Sequence, residues 1–197
     1  MKIVRLFCLM FVLLLFINGC SYISRDNSRI KDEPKRSNSE ERNANESISE
    51  FSIVIDNTAI TIGEYEDTSI LLKVLGKPIS EEVEVLGPGS DTFMGSYIKK
   101  SKYNGFDITS MSAKGDGKKY WILDMKTNNP IYKTKRGIKT GDSINDLTRV
   151  YSNIDIVRDG RTDENNCAYK FNDKMDYIQF EVNNGKITEI RLYRELP

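Results

Sequence analysis

One pattern of residues occurs twice in this chain and constrains its fold more than any other feature. The first copy is ITIGEYEDTSILLKVLGKP, from Ile60 to Pro78, and the second is GIKTGDSINDLTRVY, from Gly137 to Tyr151. Each copy begins with an extended apolar piece, reaches a Gly, and continues through acidic and hydroxyl residues into a short amphipathic helix. The glycines that precede the two helices, Gly63 and Gly141, are spaced too widely for a solenoid repeat, so a duplicated unit is predicted.

Both predicted helices have suitable residues at their ends. Asp67 or Thr68 can cap the first helix, and Gly76 ends it. Asp142 and Ser143 are the capping candidates of the second helix. Apolar residues recur at helical spacing on one face of each helix, which is therefore predicted to be buried. These residues are Ile70, Leu71, Val74 and Leu75 in the first helix, and Ile144, Leu147, Val150 and Tyr151 in the second.

An antiparallel meander is predicted after each helix. After the first, Asn104-Gly105 is a strong hairpin signal between strands at 97–103 and 106–112, and a third strand covers 119–126. After the second, strands at 167–171 and 177–182 flank a turn at Asn172-Asp173, and the last strand covers 187–193. Shorter extended pieces are predicted at 51–55, at 60–62, from Val83 to Val85 and from Ile154 to Ile156.

The predicted fold class is therefore α+β, with two tandem repeats. Each repeat is a short helix, or a helical hairpin, packed on an antiparallel β-meander. The first repeat covers residues 51–136 and the second covers residues 137–197. One helix covers one face of each meander, and the sequence offers no second layer for the other face.

The N-terminal residues are predicted to direct the chain to a membrane. Lys2 and Arg5 precede an apolar run from Leu6 to Ile17, which has the length of the h-region of a signal peptide. The run ends in Asn18-Gly19-Cys20, which resembles the lipobox of bacterial lipoproteins. The resemblance implies that residues 1–19 are a lipoprotein signal peptide and that Cys20 is lipidated. An ordinary secretory signal and an uncleaved N-terminal anchor are the alternatives.

Residues 20–50 are predicted to form a flexible charged tether behind the lipidated Cys20. Charges of alternating sign lie among Ser and Asn, and apolar residues are too sparse to form a core. A charged helix near 39–50 is the alternative. The anchor and tether predict an extracytoplasmic position on the cell membrane or the outer membrane. Cys8 leaves with the signal peptide, so Cys167 is predicted to be a buried thiol without a disulfide partner.

Several kinds of chemistry are excluded by the residues present. The chain contains no His, which excludes Ser-His-Asp and Cys-His catalysis and His-containing zinc sites. It has neither a P-loop nor a dinucleotide-binding glycine fingerprint. The formal net charge is zero, so no nucleic-acid partner is indicated. The carboxylate pairs Glu81/Glu82 and Asp163/Glu164 are interpreted as solvated loop residues. We therefore predict no catalytic activity, no cofactor and no metal site.

The motifs together resemble a family of bacterial lipoproteins with tandem helix-plus-meander repeats. They are ITIG, an Asp-led helix ending in LGKP, YNGFDIT, KRGIKTGDS and NGKITEIRLY, and the resemblance covers about residues 51–197. The fold is similar to those of β-lactamase inhibitory protein and the small lipoprotein of the outer-membrane β-barrel assembly machinery. It implies helices on one face of a sheet and an exposed opposite face that binds other proteins. The disulfides of the secreted inhibitor cannot form here.

The predicted function is a protein-binding module of the cell envelope, with a partner of unknown identity. Aromatic residues on the strands are too numerous to lie all in the core: Tyr97, Tyr103, Phe106, Tyr120, Trp121, Tyr132, Tyr177, Phe180 and Tyr193. Simple alternation from Tyr120 to Met125 places Trp121, Leu123 and Met125 in the core and turns Tyr120 and Ile122 outwards.

Two alternative functions remain open from the sequence. An inhibitor of a secreted or envelope enzyme would use a projecting loop, for which Gly87 to Gly95 and Lys114 to Lys118 are the candidates. A glycan-binding or small-ligand-binding protein would use the same exposed aromatic residues for stacking.

Overall fold

The computed structural model describes residues 48–197, so the predicted signal peptide, Cys20 and most of the predicted tether lie outside the described residues. The helices are α1 (Thr68–Leu75) and α2 (Ile144–Val150). The strands are β1 (Ser52–Ile55), β2 (Thr58–Thr61), β3 (Ser80–Val85), β4 (Tyr97–Tyr103), β5 (Phe106–Ser112), β6 (Trp121–Thr127), β7 (Lys133–Thr134), β8 (Asp155–Ile156), β9 (Ala168–Asp173), β10 (Asp176–Asn183) and β11 (Lys186–Arg194).

These strands form two antiparallel sheets. The larger sheet has the order β3-β4-β5-β6-β11-β10-β9-β8, and the smaller has the order β2-β1-β7. Each helix is followed along the chain by four strands of the larger sheet, and the two sets of four meet where β6 pairs with β11. The α+β class is therefore confirmed, with strands predominating. The pairing of β7 with β1, which places Thr134 opposite Ile53, was not predicted.

A single apolar core joins the small sheet, both helices and one face of the large sheet. Ile53 from β1, Leu71 from α1 and Leu147 from α2 are buried in the same cluster as Ile108 and Phe180 from the large sheet. Burial of such side chains is the main favourable term in folding. Both helices and the small sheet lie against this core, and no helix or strand among residues 48–197 covers the opposite face of the large sheet, although Ile98 and Met111 on that face are also buried. We call it the open face.

Both helices begin at the predicted caps. Asp67 accepts hydrogen bonds from the amides of Ser69 and Ile70, at 2.9 and 3.1 Å. Ser143 caps α2 by accepting from the amide of Asp146 at 3.1 Å. These side chains satisfy amides that have no partner within the helix.

Equivalent hydrogen bonds hold the segment before each helix against the last strand of its own set. The amide of Gly63 donates to the carbonyl of Ile122 in β6 at 2.8 Å, and the amide of Ile122 donates to the carbonyl of Glu64 at 2.9 Å. The amide of Gly141 likewise donates to Ile187 in β11 at 2.7 Å, and Ile187 donates to Asp142 at 3.0 Å. The segments that lead into α1 and α2 are thus built in the same way.

A bulge in β6 overturns the predicted facing of its side chains. Ser110 of β5 pairs with Ile122 and the adjacent Thr109 pairs with Asp124, so Leu123 is an extra residue in β6. The extra residue interrupts the alternation of faces, and Ile122 and Met125 both point into the core with 2% and 0% exposure. The prediction that Ile122 faces outwards was therefore wrong.

The same register moves Trp121 out of the predicted core. Trp121 pairs with Met111, whose neighbours Ser110 and Ser112 are on the core side, so Trp121 lies on the open face and is half-buried there. Leu123 is also only half-buried. The bulge is not visible in the alternation of residue types, which explains the error.

Smaller differences concern turns. Asn172 and Asp173 belong to β9, and the turn into β10 is made by Lys174 and Met175. Glu81 and Glu82 lie in β3 and not in a loop, although both are exposed as predicted. The bounds of β4 and β5 match the predicted strands. Cys167 is buried and unpaired, which confirms the prediction for its thiol.

We expect Gly63→Ala to destabilise the fold more than Gly141→Ala. Both glycines have positive φ angles, +80° and +89°, so each substitution costs about 1 kcal/mol in backbone strain. At Gly63 the new methyl group would also overlap the guanidinium of Arg194, which donates to Asp176 at 2.6 and 2.7 Å. At Gly141 no atom of the described residues lies within 4 Å of the added carbon.

The expected loss of unfolding free energy is therefore about 2 kcal/mol for Gly63→Ala and about 1 kcal/mol for Gly141→Ala. Urea unfolding followed by circular dichroism measures both values. Equal losses would show that the Arg194–Asp176 pair moves aside without cost.

Candidate functional site

The open face of the large sheet is the best candidate for a binding site among the described residues. Its side chains alternate along the strands with those of the core, and they include charges of both signs. Three partly exposed aromatic residues lie on it: Trp121, Tyr177 and Tyr193. Most of the other aromatic residues considered from the sequence are buried in the core, namely Tyr103, Phe106, Tyr132 and Phe180.

Two ion pairs connect β6 and β11 at the centre of the open face. Arg191 donates from Nε to Asp124 at 2.5 Å, and the Nζ of Lys126 lies 3.5 Å from the carboxylate of Glu189. Lys126 and Arg191 are directly opposite each other in the pairing of the two strands. The two pairs are therefore related by an approximate twofold axis that passes between Lys126 and Arg191.

Bulges place the two acidic residues in equivalent positions. Asp124 follows the extra residue Leu123 in β6, and Glu189 follows the extra residue Thr188 in β11. Each acid therefore faces the cation of the other strand. Burial raises the pKa of the Asp124 carboxyl, and the neighbouring Arg191 opposes that rise.

Three further side-chain contacts continue from the Asp124–Arg191 ion pair across the open face. The guanidinium of Arg191 lies 4.9 Å from the ring centre of Tyr193. The rings of Tyr193 and Tyr177 are stacked, with centres 4.9 Å apart and an interplanar angle of 9°. The Nζ of Lys170 lies 5.1 Å from the ring centre of Tyr177. We call Asp124, Arg191, Tyr193, Tyr177 and Lys170 the tyrosine row.

The geometry of the tyrosine row determines which of its atoms can meet a ligand. Each tyrosine ring has its partner ring on one face and a cation over the other, so both ring faces are occupied. Tyr177 and Tyr193 are partly exposed, so a ligand can reach them only at what the ring contacts leave uncovered. The hydroxyl of Tyr177 donates to Glu195 at 3.0 Å, and this bond is the largest cause of the raised pKa of Tyr177. The row therefore presents rigid aromatic edges beside fixed charges.

Polar clefts lie on both sides of the central ion pairs. One, of about 320 Å³, is lined by residues of β4, β5, β6 and β11, including Lys100, Lys102 and Asp107. The other, of about 460 Å³, includes Asn166, Glu181 and Arg161. Arg161 is fixed there between Asp159 and Glu181. The clefts therefore offer charged and amide groups for hydrogen bonding.

Tyr120, which the sequence suggested as an exposed anchor, is not part of the open face. Lys99 lies 4.4 Å above its ring and forms an ion pair with Glu66, whose amide donates to the Tyr120 carbonyl at 2.8 Å. Lys99 pairs with Ser110, a fully buried residue on the core side of β5. Tyr120 therefore packs beside the segment that leads into α1, on the core side of the large sheet.

The two loops proposed from the sequence as projecting segments lie next to each other. A methyl group added at Gly95 would come within 3.2 Å of the Lys114 side chain, which belongs to the other loop. Pro88–Phe93 forms a 3-10 turn within the first loop, and Asp91 in this turn has a positive φ angle of 46°. Both loops are mostly exposed.

A cluster that sequence reasoning missed fastens the start of the folded part to α2. Arg136 lies 4.5 Å from the ring centre of Tyr151 and 4.8 Å from that of Phe171. It also pairs with Glu50 at 2.6 Å and donates to the carbonyl of Val150 at 3.0 Å. No local pattern signals this contact, because its members come from four separate segments. Since the rings are enclosed by the chain, we assign the cluster a structural role.

We expect Tyr151→Phe to reduce the loss of stability in alkali. Burial raises the pKa of Tyr151 to about 12, against an ordinary value of 10.0. As the pH rises from 10 to 12, the unfolded chain releases this proton and the folded chain retains it. Stability therefore falls, by about 2–3 kcal/mol for a shift of this size.

The measurement is urea unfolding of both proteins at pH 8 and at pH 11. At pH 8 the variant should be as stable as the wild type or slightly more stable, because the Tyr151 hydroxyl is buried without a hydrogen-bond partner among the described residues. At pH 11 it should be the more stable of the two. The same pH dependence in both proteins would refute the assignment.

Comparison with protein-family models, with curated proteins and with solved structures finds no match for this chain. Within residues 48–197, no group of three or more His, Cys, Asp or Glu side chains is arranged to hold a metal ion. None of the helices described is long and apolar enough to cross a membrane.

Proposed function

We propose that this protein is a lipid-anchored lipoprotein of the cell envelope whose folded part is a non-catalytic module that binds another protein through the open face. The observation that carries the proposal is the tyrosine row, in which two stacked rings are held between Lys170 and Arg191. Rigid aromatic side chains lose little conformational entropy on binding, and they are frequent among the residues that dominate interface energies.

The charges around the row favour a protein partner over a sugar. A sugar would stack on a free ring face, whereas Lys170 and Arg191 cover those faces of Tyr177 and Tyr193. A protein surface can contact the ring edges, donate to the hydroxyl oxygens and complement the ion pairs of Asp124 and Glu189. At the tyrosine row, glycan stacking is therefore the weaker alternative.

We propose further that the folded part consists of two tandem repeats, in the manner of the lipoprotein family that the sequence resembles. Three observations support a duplication. Gly63 and Gly141 make the same hydrogen bonds to Ile122 and Ile187. Bulges occur at the same place in β6 and β11. The two sets of four strands meet about an approximate twofold axis at Lys126 and Arg191.

The lipid anchor is proposed from the sequence that ends at Cys20, which lies outside the described residues. Two acyl chains on this thiol would hold the chain on a membrane, since each buried methylene contributes about 0.8 kcal/mol. The charged tether that follows would let the open face stand clear of the lipid headgroups.

A pull-down from solubilised cell envelope tests the proposed function. The full-length chain in detergent is the bait, and a bait with both Tyr177 and Tyr193 changed to Ala is the control. A single protein retained by the wild type in near-equal amount, and lost with the control, is the expected result. Equal recovery on both baits, or no retained protein, would contradict binding through the open face.

An inhibitor of a secreted or envelope enzyme is the second candidate function. It is favoured by the contact between Gly95 and Lys114, which brings both exposed loops to one end of the large sheet. If the retained protein is a hydrolase, an activity assay with and without the full-length chain decides between inhibition and simple binding. Shortening the loop from Lys114 to Lys118 should then abolish inhibition and leave folding intact.

A further inference from the structure

The two edges of the large sheet differ in length and in surroundings. One edge is β8, which has only two residues and continues into a hydrogen bond from the Val157 amide to the Ala168 carbonyl at 2.8 Å. The other edge is β3, which has six residues and pairs with β4 alone among the described strands. Every second residue of such an edge strand directs its N–H and C=O groups away from the sheet. Among residues 48–197, the outer side of β3 is therefore a row of backbone donors and acceptors with which no other strand pairs.

The side chains of β3 are exposed on both faces. Val83 and Val85 have 52% and 59% of their surface exposed, although the strand register places them on the same side as the core residues of β4 and β5. They remain exposed because the sheet ends at β3. Glu82 and Glu84 lie on the open-face side, where Glu84 pairs with Lys100 of β4 at 2.8 Å.

This charge pattern disfavours a second copy of β3 as the occupant of the edge. Opposed residues in an antiparallel pair must direct their N–H and C=O groups in the same sense, so two copies of β3 cannot pair in the fully aligned register, which would set Glu81 opposite Glu84. Shifting the register by one residue in either direction places Glu82 opposite Glu84 or opposite itself. Like charges directly opposite each other in a sheet are destabilising. The same glutamates would be favourable neighbours for cations.

We propose that β3 accepts an extended basic segment of a partner protein by strand addition. In the added strand, Lys or Arg would lie opposite Glu82 and Glu84, and apolar residues would lie opposite Val83 and Val85. Backbone hydrogen bonds would supply affinity, and the alternation of basic and apolar residues would supply specificity. This surface is separate from the tyrosine row, so it can be tested independently of the proposed function.

Two blocked synthetic peptides of eight residues test the proposal, one alternating Lys with Val and the other alternating Glu with Val. Each carries a fluorophore, and its affinity for the full-length chain in detergent is measured by anisotropy. The Lys–Val peptide is expected to bind about tenfold more tightly, given the energies of cross-strand charge pairs. Hydrogen exchange should show new protection at the amides of residues 80–85.

Three variants keep the test specific. Glu82→Lys/Glu84→Lys should reverse the preference between the peptides, and the milder Glu82→Gln/Glu84→Gln should abolish it. Glu189→Gln, on the open face, should leave it unchanged. Equal affinity of the wild type for both peptides, or protection elsewhere in the chain, would overturn the proposal. If the amides of residues 80–85 become protected from exchange in the absence of peptide as the protein concentration rises, the edge binds another copy of the chain and the proposal is overturned.

Discussion

Replacing both Tyr177 and Tyr193 by Ala is expected to weaken binding of the envelope partner at least about thirtyfold. Truncating central aromatic residues of an interface commonly costs about 2 kcal/mol or more, which corresponds to this factor. The loss is expected to exceed that of either single variant, because each ring holds the other at a centre distance of 4.9 Å. Calorimetry or surface plasmon resonance with the partner recovered from the envelope measures the effect.

The control for this experiment is Tyr120→Ala. Tyr120 is also half-buried, but it packs with Lys99 beside the segment that leads into α1, away from the open face. Its loss should leave affinity unchanged. The urea midpoint of the double variant should stay close to that of the wild type, since neither ring belongs to the core. Reduced binding by Tyr120→Ala, with normal binding by the double variant, would move the site to the other side of the sheet.

Replacing Cys20 by Ser is expected to shift the chain from the membrane fraction to the soluble fraction. The thiol is the proposed attachment point of the lipid, and a hydroxyl cannot take its place in the thioether. Each buried methylene of the acyl chains contributes about 0.8 kcal/mol to the free energy of membrane binding. Loss of both chains should therefore change a protein that is almost entirely membrane-bound into one that is almost entirely soluble. Fractionation with immunoblotting measures the distribution, and the mass of the wild-type chain reports the lipid.

The matched control is Cys167→Ala, because this thiol is buried in the folded part and makes no disulfide. That variant should stay with the membrane. If Cys20→Ser also stays there at its full unprocessed length, the N-terminal run is an uncleaved anchor. A wild-type chain found in the soluble fraction without added lipid mass would instead indicate an ordinary secretory signal.

Local signals were sufficient for the helices and most of the turns. The caps at Asp67 and Ser143, the hairpin at Asn104-Gly105 and the burial of Leu71 and Leu147 all agree with the sequence pattern, whereas Ile70, predicted on the buried face of α1, is 37% exposed. They agree because capping, turn geometry and helix amphipathicity depend on residues only a few positions apart.

The candidate site was less predictable than the elements that build it. Its aromatic residues were recognised as too many for the core, but which of them face outwards was not. Trp121 was predicted in the core but lies on the open face, and Ile122 was predicted to face outwards but lies in the core. Both errors arise because a single extra residue, Leu123, interrupts the alternation of β6. That residue is extra only relative to β5, so the bulge is a property of the strand pair.

The sequence by itself determined the α+β class, the order of both helices and of the longer strands, and the absence of His chemistry, because these depend on composition and on short-range pattern. Only the tertiary structure decided that β6 pairs with β11 and that Asp124, Arg191, Tyr193, Tyr177 and Lys170 form one row. Their contacts join β6 to β11, β10 and β9, which lie far from β6 in the sequence. Such contacts follow from strand register and sheet order, which are fixed when the whole core is buried at once.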